Sequence, residues 1–195
     1  MVESAKTETR LIWFPLAVGF GLLFGGADQY LGSLVRLGPW ASSVSAMSAP
    51  WLLLPFVFGS TQLDPRRAML LGLTVTASAL AGYFALTLSP LESVPLSHFP
   101  ADLVALAHSN VRIIVAGLVT GPVFGALGRR WRITRSWLSA GLLAAAFCLE
   151  PLARLGVGQL PRPNIVWGVE IALGVCLCGY FTAARTIRGS PQRGT

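Results

Sequence analysis

Six apolar runs long enough to cross a bilayer, a charged fraction of only 12% and arginine clusters after every second run predict an all-α fold. That fold is a polytopic membrane protein of six transmembrane helices. A soluble domain carries about a quarter of its residues as charges. This chain of 195 residues is instead 53% hydrophobic, with a mean hydropathy of +0.64. The runs cover 11–34, 42–60, 68–88, 103–127, 137–154 and 164–185. Residues 11–188 therefore read as one transmembrane domain, between an N-terminal tail, 1–10, and a C-terminal tail, 189–195.

Orientation follows from the basic residues. Lys6 and Arg10 precede the first run, Arg66 and Arg67 follow the second, and Arg129, Arg130, Arg132 and Arg135 follow the fourth. Arg185, Arg188 and Arg193 close the chain, so six alternating spans put every one of these on the same side. The other side receives only Arg36, Arg154 and Arg162. Short loops rich in Lys and Arg stay in the cytoplasm, which places both termini inside a bacterial inner membrane. The net charge of +7 is spread over these loops without any nucleic-acid motif, so nucleic acid is not an expected partner. Two acids in MVESAKTETR and the lack of an A-x-A site make the first run a retained span.

In that first run Ala17, Gly21, Gly25, Asp28 and Gly32 fall on one helical stripe, a groove of small residues that leads to an acid. The turn TQLDPRR joins runs two and three, with Asp64 as cap and Pro65 as first helical residue. The proline-rich segment 89–103 is a lid candidate, and Pro100 with Asp102 marks a helix start before the fourth run. Pro161 and Pro163 break the chain before the sixth. Trp40, Trp51 and Trp167 are expected at the outer interface, and Trp13, Trp131 and Trp137 at the inner one. Around Gly25 and Gly125, and again at Gly82-Tyr83-Phe84 and Gly179-Tyr180-Phe181, short words recur at offsets of 100 and 97 residues. Such an echo is the mark of a weak 3+3 inverted repeat.

The ionisable residues within the spans crowd into the outer half: Asp28, His108, Arg112, Glu150, Arg154 and Glu170. A charge in hydrocarbon costs about 2.5 to 3.5 kcal/mol on the insertion scale, so such groups mark sites or pairs. Asn110, Gln29, Tyr30, Ser45 and Ser48 add neutral hydrogen-bonding groups at similar depth. The favoured reading is an outward-facing pocket for a small polar solute, with Asp28, His108, Asn110, Arg112, Glu150 and Glu170 as ligand-binding residues. In the competing reading Arg112 and Arg154 neutralise the acids in structural pairs. Either way Arg112 is expected to hold a carboxylate from Asp28, Glu150 or Glu170, because a guanidinium cannot shed its charge.

No phosphate-binding loop, nucleophile elbow or H-E-x-x-H motif is present, so the expectation is a non-enzymatic protein without a cofactor. His98, Asp102 and His108 have metal-like types at spacings that fit no zinc pattern, and no metal is expected. Cys148, Cys176 and Cys178 lie in apolar runs and read as small buried hydrophobes.

A chain of this length with six spans, both ends inside, a small-residue stripe on the first helix and polar groups gathered outside resembles the S components of energy-coupling-factor vitamin transporters. The resemblance implies that Ala17, Gly21 and Gly25 dock on a separate transmembrane coupling subunit, and that a ligand sits near the outer face under loops. Glycines stand here where that family's pattern is A-x-x-x-A. The words SAPW and DPRRA are also similar to an uncharacterised family of small bacterial integral membrane proteins, a likeness that implies no function. Expected partners are thus membrane lipid, other membrane subunits and a small polar solute. The alternatives are an accessory subunit of a larger complex, contacting partners through Gly128 to Ser136, and a membrane-embedded enzyme acting on lipid. A polar cavity opening outward separates the first from the second.

Overall fold

The computed structural model describes residues 12–89, 99–158 and 165–189, and every regular element among them is helical. The order is α1 (Trp13–Ser33), a single 3-10 turn (Val35–Leu37), α2 (Pro39–Ser45), α3 (Ala49–Ser60), α4 (Pro65–Thr87), α5 (Phe99–Ser109), α6 (Val111–Thr134), α7 (Trp137–Gly156) and α8 (Ile165–Gly189). Expectations for both tails, for most of the lid candidate, for His98 and for the loop with Pro161 and Pro163 fall outside the described residues. Four helices, α4, α6, α7 and α8, are long and apolar enough to cross a membrane. The pair α2 and α3, bent by 43° at its break, makes a fifth if it counts as one span. At 21 residues α1 is of similar length, but Asp28, Gln29 and Tyr30 dilute its last third, and it is not among them.

The centre of the bundle is α4, which packs along α1 on one side and along α6 and α3 on the other, while α7 pairs with α8. Small residues let backbones touch. A Cβ on Gly25 would overlap the Ala79 carbonyl, and one on Gly82 would overlap that of Leu22, so α1 and α4 meet backbone to backbone. At a second crossing Gly59 and Gly72 meet Gly125 of α6 in the same way. Of the echoed glycines, Gly25, Gly82 and Gly125 are crossing points, whereas Gly179 faces open space. The first-helix stripe is therefore occupied within the chain. Ala17, Gly21 and Gly25 are buried against α4, which corrects the expectation that they dock on a separate subunit: no second chain reaches them while the α1–α4 contact stands.

Large apolar side chains cover the outside, among them Phe20 and Leu23 on α1, Val119 on α6 and Val175 on α8. An apolar surface of that extent matches hydrocarbon as its solvent. Cys176 and Cys178 share this exposed surface and only Cys148 is partly buried, so two of the three thiols are not the buried hydrophobes expected.

The arginine cluster lies at one end of the bundle and is tied into it. Arg132 donates to the Ser60 and Thr61 carbonyls at 3.0 and 2.6 Å, and Arg129 to that of Leu63 at 2.6 Å. Cations there satisfy carbonyls that the end of α3 leaves open. Nearby, Asp64 caps α4 as expected, its Oδ1 accepting from the Arg66 N–H at 3.2 Å with Pro65 as first residue. The tryptophans are less peripheral than an interfacial belt requires. Trp131 and Trp167 are buried, the former edge-on to Phe181 at 4.6 Å, while Trp40 and Trp137 are exposed. The fourth run is split: Asn110 leaves helical geometry, so His108 lies in the last turn of α5 and Arg112 in the first turn of α6.

Candidate functional site

The second apolar run does not form a continuous helix. It stops at Ser45 and restarts at Ala49, leaving backbone donors and acceptors open at Ala46–Ala49, and α7 supplies both kinds of partner. Glu150 accepts from the Ser48 N–H at 2.7 and 2.9 Å with its two oxygens and from the Ala49 N–H at 2.7 Å. Arg154, one turn on, donates to the Ala46 carbonyl and to the Ser48 Oγ at 3.1 Å. It is also paired with Glu150, Nε to Oε1 at 2.9 Å and Nη2 to Oε1 at 2.8 Å. The charges match the helix ends: the carboxylate sits at the positive N-terminus of α3 and the guanidinium at the negative C-terminus of α2.

Beside this break is a cavity of about 520 Å³, within the range of small-molecule sites. Its walls come from six helices and the α2–α3 break, and most are aliphatic or aromatic. Asp28 enters from α1, Ser45 from the end of α2, Ser48 from the break, Trp51 from α3, Thr76 and Tyr83 from α4, Asn110 and Thr120 from the start of α6 and its next turns, and Arg154 from α7. The Trp51 side chain lies within hydrogen-bonding reach of the Asp28 carboxylate. Trp51 is in turn edge-on to Phe24 at 5.4 Å and to Tyr83 at 6.2 Å. Thr76 is only 5% exposed, and its hydroxyl has no hydrogen-bond partner among the described residues.

Of the six residues expected to bind ligand, the cavity wall contains Asp28 and Asn110. Glu150 is drawn into the helix break instead. Glu170 is completely buried and faces Glu150, yet neither of its oxygens makes a hydrogen bond of good geometry among the described residues. His108 and Arg112 are exposed and do not line the cavity. Arg112 makes no ion pair with Asp28, Glu150 or Glu170, so the expected partnership is corrected: Arg154 holds Glu150 from the same helix. Residues the sequence reading passed over are Thr76, Thr120 and Tyr83, together with Trp51, assigned there to the interface, and Arg154, assigned there to pairing alone. The i,i+4 spacing of Glu150 and Arg154 was a readable signal for their pairing. A single hydroxyl such as Thr76 in an apolar run carries none.

Apolar helices that cross one another through glycines and a surface suited to lipid define an integral membrane protein. By sequence the chain belongs to a family of unknown function, DUF6518, which it matches over residues 4–191. No curated protein and no solved structure matches it.

Proposed function

We propose that this protein is a six-span inner-membrane protein that captures a small solute from outside in the cavity beside Asp28, as a non-enzymatic, transport-type subunit that relies on other subunits for energy. The observation that carries this reading is the cavity itself, with a carboxylate in its wall at the end of the bundle away from the arginine cluster. A helix broken at the site supports it too, since discontinuous helices build many transporter sites. Resemblance to S components now rests on overall architecture alone, because the stripe that would dock a coupling subunit is taken by α4. The accessory-subunit reading is favoured for one feature, the Glu150–Arg154 pair, which serves the fold without any solute. It leaves the cavity and Asp28 unexplained.

Native mass spectrometry of gently purified protein tests the proposal by reporting bound solute and partner subunits together. Asp28→Asn keeps the shape and removes the charge, and should weaken a cationic or zwitterionic solute by roughly 1.5 to 3 kcal/mol. A wild-type protein that retains no small molecule, alone or with partners, would count against the reading.

The topology is tested separately, with single cysteines placed in a background lacking the native three. Arg130→Cys and Ser190→Cys should resist membrane-impermeant reagents added outside, while Pro95→Cys and Leu160→Cys should react. Labelling of position 130 from outside would overturn the orientation.

A further inference from the structure

We propose that the solute is an organic cation, an ammonium group bearing apolar substituents, held with its charge at Asp28 and its substituents against Trp51, Tyr83 and Phe84. This rests on the solute-binding reading above and names the chemical class.

The charge balance of the wall is the first argument. Among the described residues two charged side chains line the cavity, Asp28 and Arg154. Arg154 is already neutralised, with Glu150 at 2.8 Å and its remaining bonds going to the helix break. A solute anion would have to displace that carboxylate. Asp28 has no ion pair among the described residues, so the cavity offers one uncompensated negative charge in an apolar surround. A cation entering it supplies the missing partner.

The second argument is the lining. Trp51, Tyr83 and Phe84 form an edge-to-face series, Tyr83 to Phe84 at 5.6 Å, and the faces of such rings attract alkylammonium groups. Leu52, Leu80 and Ile113 make up much of the rest. A polyol would find few partners here, because the neutral polar groups are largely occupied. Asn110 Nδ2 donates to the Leu106 carbonyl at 2.9 Å and Thr120 Oγ1 to that of Ala116 at 2.8 Å. The Thr76 hydroxyl, two turns of α4 below Tyr83, is itself buried against Gly121 and so adds no hydrogen-bonding atom for a polyol.

The test is calorimetric titration of the full chain, purified in a maltoside that itself carries no ammonium group. The probes are benzyltrimethylammonium, benzyl alcohol and benzoate. The cation should bind at least about tenfold more tightly than either other probe, since desolvated charge and cation–π contacts each reach that scale. Asp28→Asn should remove about tenfold or more of its affinity, and Trp51→Leu several-fold, while Ala116→Trp, which fills the cavity, should abolish binding of every probe. Should Asp28→Asn fail to fold, Trp51→Leu carries the test. Benzoate or benzyl alcohol binding as tightly as the cation, and still blocked by Ala116→Trp, would overturn the cation assignment and leave the solute reading standing. No probe binding, with no small molecule retained in native mass spectra, would overturn both. Phosphatidylcholine added to phosphatidylglycerol nanodiscs should leave the probe's affinity unchanged. Competition would overturn the free-solute half of the proposal and assign the ammonium to a lipid headgroup.

Discussion

Glu150→Ala should cost the fold about 3 to 5 kcal/mol, the loss expected when one member of a buried ion pair is removed. The side chains of Glu150 and Arg154 are only 12% and 24% exposed, so solvent does little to replace the missing carboxylate. Two consequences add. Arg154 is left with its charge among apolar walls, and the Ser48 and Ala49 N–H groups lose their acceptor at the start of α3. Arg154→Ala should cost a comparable amount, leaving Glu150 unpaired and the Ala46 carbonyl open. The double variant should be less damaged than the sum of the singles, because neither charge is then stranded. Equilibrium unfolding in mixed micelles measures all three. Single losses below about 1 kcal/mol that simply add would show that the pair is solvated and that the break is held by something else.

Gly25→Leu is expected to destabilise by about 3 kcal/mol or more, the upper end for overpacking, because what the new side chain meets is the Ala79 backbone. A flexible side chain yields at little cost; a helix backbone moves only by separating α1 from α4 along its length. Gly19→Ala, on the same helix six residues earlier, is the contrast. A Cβ there meets nothing within 4 Å. Helix propensity then dominates, and stability should rise by roughly 0.5 to 1 kcal/mol. The same unfolding assay reads both. If Gly25→Leu folds as stably as wild type and instead loses a co-purifying protein, the stripe serves a second chain after all.

The membrane class and the positions of most helices were legible because they depend on run length and composition, which are local. Asp64 and Pro65 announced the start of α4 for the same reason. The helix break was missed although Ser48, Ala49 and Pro50 carry a helix-start signature within an apolar run, with Pro in the first turn. Asp28 stood out in the sequence because the cost of a charge in lipid needs no partner to compute, and it lies in the cavity wall. Glu150 was misassigned because its partners are backbone groups more than a hundred residues away, and no pattern in sequence registers an unpaired N–H. Arg112 failed because it lies exposed in the first turn of α6, while Glu150 already has Arg154 one turn away on its own helix. The glycines at 117, 121 and 125 repeat the four-residue spacing of Gly21 and Gly25, so the α4–α6 crossing was visible in principle and was passed over.

The distance in sequence between the α2–α3 break and the groups that close it sets an order of assembly. Ser48 is 102 residues from Glu150, and Ala46 is 108 from Arg154. At about 5 to 20 residues per second of synthesis, the nascent chain therefore holds that break open for roughly 5 to 20 s. The contact of Gly25 with Ala79, both nearer the N-terminus, is available much earlier. The α1–α4 pair can form during that interval, whereas the break beside the cavity is closed only after α7 has been made. A ribosome stalled before Glu150 would thus leave a partly built bundle with bare peptide groups at membrane depth, the kind of species that membrane quality control is suited to remove.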